Sequence, residues 1–180
     1  MKEYKSIVLC GFMGCGKTAI GQLAAKQLGM EFIDADQYIE QQAGMAVSEI
    51  FSKYGEKGFR DQEHEAMKAL SAKPGCMIAS GGGALTFQRN VDAVRQKAYI
   101  IYLDTSFKDC FQRIAGDPAR PLAASSSWEE LEALFQKREG LYQAAADGIV
   151  KNDGSLNHGV QELVRVIREL SSQPRERKKH

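Results

Sequence analysis

Short runs of consecutive apolar residues alternate along the chain with longer stretches whose apolar positions recur every three or four residues. The first run, Ile7-Val8-Leu9, predicts a strand. Ala19, Ile20, Leu23, Ala24 and Leu28 then share one side of a helix that Gly29 ends. Glu31-Phe32-Ile33-Asp34 reads as a second strand, followed by a short helix from 37 to about 43 that Gly44 closes. Residues 47–54 predict another short helix, with Ser48 as a candidate N-cap and Gly55 as its stop. Gly58-Phe59-Arg60 leads into a longer helix with Phe59, Ala66, Met67 and Leu70 on its apolar side, broken at Pro74-Gly75.

Cys76-Met77-Ile78-Ala79 is a third strand, and a helix around 88–95 follows. Residues 98–103 are continuously apolar, as expected of a strand buried on both faces of a parallel sheet. The stretch 106–114 is helical, with Ser106 and Asp109 spaced like a capping box. Ser127 and Glu130 cap a long helix striped by Leu131, Leu134, Phe135, Leu141 and Tyr142. Ile149-Val150 is a weak last strand, and 156–170 is an amphipathic helix. Such alternation implies an α/β fold, a parallel sheet of about five strands with helices on both faces.

Two glycine clusters interrupt this pattern at strand ends. Gly11-Phe12-Met13-Gly14-Cys15-Gly16-Lys17-Thr18 has the spacing G-x-x-x-x-G-K-[ST] between a strand and a helix. Glycine-permitted backbone can wrap an anion there, with main-chain N–H groups and the helix N-terminus aimed at phosphate oxygens. Lys17 adds a positive charge and Thr18 a hydroxyl ligand for Mg²⁺. The second cluster, Gly81-Gly82-Gly83, suggests close approach of backbone to a ligand or a flexible loop. Asp34 and Asp36 stand at the C-terminal end of a strand, where open α/β sheets bind ligands. Residues 115–127 lose almost all large apolar side chains while gaining Gly116, Pro118, Pro121 and three serines. With Arg113 beside it and Arg120 within it, this segment reads as a mobile lid over phosphates.

Composition narrows the picture. A chain of 180 residues with 43% hydrophobic content builds one domain, here 1–172, followed by a basic tail at 173–180 read as a solvated end. Twenty-four Lys+Arg against 23 Asp+Glu leave a net charge of +1, so no general field recommends nucleic acid or membrane as partner. Cys10, Cys15, Cys76 and Cys110 form no C-x-x-C pair and suit a reducing compartment. The N-terminal apolar run is too short for a signal-peptide core or a membrane span, which points to the cytoplasm. The chain is expected to work as a monomer.

A phosphate loop implies a nucleotide without saying what is done with it. Asp34 and Asp36, Arg60 at a helix start, and Arg138, one heptad after Leu131 on an apolar stripe, form a second set. Two arginines can grip a carboxylate by paired hydrogen bonds, and Asp36 can accept from a hydroxyl, so a small hydroxy acid fits. Singly, Asp36 could be an N-cap, Arg60 a surface residue, and Arg138 a snorkelling side chain.

From Ile7 to about Leu170 the sequence resembles the shikimate kinases. The likeness rests on the Gly-Phe-Met-Gly-Cys-Gly-Lys-Thr loop, Asp34-Ala35-Asp36, Gly55-Glu56-Lys57-Gly58-Phe59-Arg60 with Glu63, Gly81-Gly82-Gly83, Arg120-Pro121-Leu122, and Arg138 with Leu141-Tyr142. The resemblance implies a P-loop NTPase fold of the nucleoside-monophosphate-kinase type, with a substrate-binding segment at about 34–62 and the lid at 115–127. The implied reaction moves the γ-phosphoryl group of ATP to the 3-hydroxyl of shikimate, with one Mg²⁺ per subunit.

It further implies ATP contacts from Gly14, Cys15, Gly16, Lys17, Thr18, Ala19, Arg113 and Arg120. Asp36, Arg60, Gly82, Gly83 and Arg138 would contact shikimate. Lys17, Asp36 and Arg120 would serve the chemistry, and Thr18 and Asp34 the metal. Paired arginines favour this reading over gluconate kinase, which shares the fold and phosphate loop. A nucleotide-binding module without turnover would require loss of Lys17, Asp36 or the lid arginines, all of which are present. Two departures stand out: Cys15 replaces the commoner serine, bringing an oxidisable thiol beside the phosphates, and Lys151-Asn152-Asp153 lacks the arginine often found near the adenine.

Overall fold

The computed structural model describes residues 4–115 and 125–173. Five parallel strands, β1 (Ile7–Cys10), β2 (Glu31–Asp34), β3 (Cys76–Ala79), β4 (Tyr99–Asp104) and β5 (Gly148–Lys151), lie in the order β2-β3-β1-β4-β5. The helices are α1 (Lys17–Leu28), α2 (Ala35–Ala43), α3 (Val47–Ala72), α4 (Gln88–Arg95), α5 (Phe107–Ile114), α6 (Trp128–Ala145) and α7 (Leu156–Ser172). The chain steps from β1 across β3 to β2, then back through β3, β4 and β5. Right-handed crossovers therefore place α1 on one face and the later crossover helices on the other. Helix α7 returns to pack on α1.

Strand β1 is the centre of the sheet, paired with β3 at Ile7↔Met77 and with β4 at Ile7↔Tyr99. Ile7, Val8 and Leu9 are each 0% exposed. Burial of such side chains is worth about 1.5–3 kcal/mol apiece, which fixes the register that brings the strand C-termini level. Among the described residues no helix is long and apolar enough to cross a membrane.

Several sequence expectations need correction. Helix α2 begins at Ala35 rather than 37, because Asp34 caps it by accepting from the Gln37 N–H at 3.1 Å. Ser48 is not an N-cap: α3 starts one residue earlier, after Ala46, with no side-chain cap. The two helices expected on either side of Gly55 run together through a kink at that residue. On α1, Leu23 is 42% exposed while Ala25 is buried, so the packed face is rotated toward Ile20, Gly21, Ala24 and Ala25. On α6, Leu141 is likewise turned to solvent at 43%. The capping box of Ser127 and Glu130 is present, and Ser106 accepts from the Asp109 N–H. The bulk of the proposed lid, 116–124 with Arg120, and the tail from Pro174 lie outside the described residues.

Gly55 has φ 70° and ψ −179°, a conformation essentially reserved for glycine, and nothing lies within 4 Å of where a Cβ would stand. Gly55→Ala should therefore destabilise through backbone strain alone, by about 1–3 kcal/mol, seen as a lower urea midpoint. If the kink were incidental, alanine would straighten the helix and gain up to ~1 kcal/mol, and the midpoint would rise.

Candidate active site

The loop after β1 turns through Gly11, Gly14 and Gly16, all at positive φ. Side chains cannot replace these hydrogens: a Cβ on Gly14 would lie 2.7 Å from the Cys110 carbonyl oxygen and 2.8 Å from Ile114. Gly16 is the N-cap of α1, so the loop delivers the helix N-terminus to a cavity of about 730 Å³. Gly14, Gly16, Lys17, Thr18 and Ala19 line one side of it, with Arg113 at its edge. Lys17 Nζ donates to the Gly11 carbonyl at 2.7 Å and the Phe12 carbonyl at 3.3 Å, which holds the ammonium at the cavity mouth. Arg113, in the last turn of α5, donates to the Gly14 carbonyl at 3.0 Å. This is an anion site with a helix dipole, backbone N–H groups and two cations.

The other side of the cavity is built around the second glycine cluster. Ser80 pins that turn to β1 by donating its N–H and hydroxyl to the Leu9 carbonyl, at 3.1 and 2.8 Å. A Cβ on Gly81 would stand 2.9 Å from Asp36 Oδ1, one on Gly82 3.6 Å from an Arg138 guanidinium nitrogen, and one on Gly83 2.8 Å from Arg60. One turn without side chains thus gathers Asp36, Arg138 and Arg60. The Gly82 position is also 3.8 Å from the backbone nitrogen of Met13, so this group abuts the phosphate loop. Tyr142, buried one turn after Arg138, donates to the Gly82 carbonyl at 2.5 Å and fixes that peptide.

Arg60 lies against the rings of Phe59 and Phe87, 5.2 and 4.9 Å from their centroids. Its Nη1 donates to Glu63 Oε1 at 2.8 Å. Nε is buried without a hydrogen-bond partner, Glu56 standing 3.8 Å away. Glu63 is 1% exposed, and burial raises its pKa despite the opposing field of Arg60. Burial, then Asp34, raises Asp36 as well, against the pull of Lys17 and Arg60. Two carboxylates and two guanidiniums therefore share a pocket in which Glu63 is buried and the other three are partly exposed. A further anion placed between the arginines would be held by charge-assisted hydrogen bonds.

The structure thus brings Lys17, Thr18, Asp34, Asp36, Arg60, Gly82, Gly83, Arg113 and Arg138 to one end of the sheet. The Cys15 side chain is 1% exposed, its Sγ accepts from Lys17 Nζ at 3.7 Å, and its N–H donates to the Phe12 carbonyl at 3.1 Å. Glu63 was legible only as part of a motif, and Tyr142 only as an apolar stripe residue. Thr105 and Asn152, both buried and bonded to the Cys15 carbonyl, carried no sequence signal.

A family model described as "Shikimate kinase" matches residues 13–168. A shikimate kinase from Thermodesulfovibrio yellowstonii is 41% identical over 161 residues, covering 89% of this chain and 92% of its own. The solved shikimate kinase from Acinetobacter baumannii in complex with shikimate superposes with a TM-score of 0.87. It is 31% identical, with 94% of this chain and 96% of that one covered. A gluconokinase from Sinorhizobium meliloti shares the fold at TM-score 0.62 and 15% identity, over 95% of both chains.

Asp36 supplies a test of the electrostatics. Its pKa is raised above the ordinary 3.8, so the unfolded chain ionises before the folded one does. The stability penalty is absent below pH 3.8, accumulates as pH rises toward the folded value, and is complete above it. Asp36→Asn should therefore unfold at a higher temperature than wild type at pH 7, with the gain fading toward pH 3.8. A less stable variant at pH 7 would mean that Lys17 and Arg60 outweigh burial.

Proposed function

The chain belongs to the shikimate kinase family, and we propose that its two cavity walls divide the reaction between them, nucleotide on the β1–α1 side and acceptor around the second glycine cluster. The protein is an ATP-dependent kinase that transfers the γ-phosphoryl group to a hydroxyl of shikimate, in the biosynthesis of aromatic amino acids. The observation that carries the division of labour is the gathering of Asp36, Arg138 and Arg60 around Gly81-Gly82-Gly83, against Met13 of the phosphate loop.

In this reading Arg60 and Arg138 hold the shikimate carboxylate, and the backbone of Gly82 and Gly83 borders the ring. Asp36 accepts a hydrogen bond from the attacking 3-hydroxyl. As that oxygen bonds to the γ-phosphorus and the bond to the β-phosphate oxygen breaks, the hydroxyl proton passes to Asp36, whose raised pKa suits it to take one. Lys17, Arg113 and Arg120 counter the charge on the phosphates, where positioning and electrostatics do most of the catalytic work. Thr18 and Asp34 are the residues that would hold Mg²⁺, which would supply positive charge against the phosphates. Both residues line the same cavity and offer hard oxygen donors, the chemistry such an ion would take. Four free, buried cysteines fit a cytoplasmic enzyme.

A coupled assay of ADP release should respond to shikimate and neither to gluconate nor to omission of acceptor. Comparable release with gluconate would overturn the acceptor assignment. Lys17→Met should lower kcat by about a hundredfold to a thousandfold, the loss of one preorganised charge contact. Retention of more than about a tenth of the activity would remove Lys17 from the transfer step.

A further inference from the structure

The nucleotide loop is braced from below by two polar side chains that the phosphate-loop motif does not contain. Thr105, just past the end of β4, donates its hydroxyl to the Cys15 carbonyl at 3.1 Å. Asn152, just past β5, donates Nδ2 to the same oxygen at 2.8 Å. Asn152 Nδ2 also donates to the Thr105 hydroxyl oxygen at 3.2 Å, and the two residues are 1% (Thr105) and 3% (Asn152) exposed. A carbonyl oxygen has two lone pairs, and both are thus engaged. Because Cys15 offers only an acceptor there, the amide nitrogen of Asn152 must face it.

Asn152 is itself fixed at both ends. Its N–H donates to the Asp104 carbonyl at 2.9 Å. Its Oδ1 lies against Gly159 of α7, where an added Cβ would come within 2.8 Å. A peptide unit is planar and trans, so anchoring the Cys15 carbonyl turns the Gly16 N–H the opposite way. Gly16 lines the cavity and caps α1 immediately before Lys17.

We propose that Asn152 and Thr105 are positioning residues for nucleotide binding, locking the Cys15–Gly16 peptide so that the Gly16 N–H is presented to the phosphates. The lock joins three elements spread over 137 residues of sequence: the phosphate loop, the end of β4 and the β5–α7 turn. It also accounts for Cys15, whose backbone serves the loop while its thiol stays buried. This inference rests on the nucleotide reading of the loop, and ligand titrations separate the two.

The test titrates MgADP and shikimate separately against wild type, Asn152→Asp and Thr105→Val. Asparagine to aspartate keeps the shape but sets an acceptor against the Cys15 carbonyl. The ADP dissociation constant should rise about tenfold or more, with shikimate affinity within about twofold of wild type. Thr105→Val, nearly isosteric, removes the Thr105 donor and one acceptor of Asn152 Nδ2 but keeps the Asn152–Cys15 bond, and should raise it about threefold. Unchanged ADP affinity in both variants overturns the proposal, and so does parallel loss of both ligands, which would mark general loosening. If Asn152→Asp does not fold, Thr105→Val decides by the same comparison. Wild-type protein that bound no MgADP would remove the nucleotide site itself, whereas unaffected variants would remove only the brace.

Discussion

Charges withdrawn from water must be answered by partners, and around the second glycine cluster that constraint shapes everything nearby. Glu63 is almost fully buried and answers Arg60 at 2.8 Å. That pair leaves Arg60 Nε without a hydrogen bond and Arg138 on an otherwise apolar helix face. Rings of Phe59 and Phe87 hold the guanidinium, and the kink at Gly55 sets where its helix segment begins. The glycine turn follows from the same demand, since a side chain at 81 or 83 would strike Asp36 or Arg60.

The parallel sheet makes this arrangement reachable. With β1 between β3 and β4, the phosphate loop leaves one strand beside the turn that leaves its neighbour. Ser80 bonds to Leu9, Tyr142 to Gly82, and Asn152 with Thr105 to Cys15. Each anchors one backbone carbonyl and so aims a peptide unit, in keeping with a reaction that asks the protein for position and charge rather than covalent chemistry.

How much of this the chain disclosed depended on range. The phosphate loop was plain because its chemistry is local: positive φ, helix start and lysine lie within eight residues. Strands were legible from continuous apolar runs, and Arg138 stood out as a charge on an apolar stripe. Gly55 was read as a stop because glycine ends helices more often than it kinks them, and Leu23 and Leu141 were read as core because the period alone cannot say how far a face is rotated. Asn152 was invisible for a different reason. Its role depends on a partner 137 residues away, and a polar residue after a weak strand reads as an ordinary turn. The lid, which the sequence marks by its proline, serine and arginine content, falls mainly outside the described residues.

The central claim is that Arg60 and Arg138 hold a carboxylate as a planar fork. Titrating shikimate, and an analogue with its carboxylate reduced to an alcohol, against wild type and Arg138→Lys tests it most directly. Lysine keeps the charge but cannot supply two parallel donors, so the shikimate dissociation constant should rise roughly tenfold to a hundredfold. The alcohol analogue should bind weakly to both proteins with little difference between them, and MgADP affinity should stay unchanged. If the substitution costs the alcohol as much affinity as it costs shikimate, Arg138 packs rather than clamps, and the carboxylate site lies elsewhere.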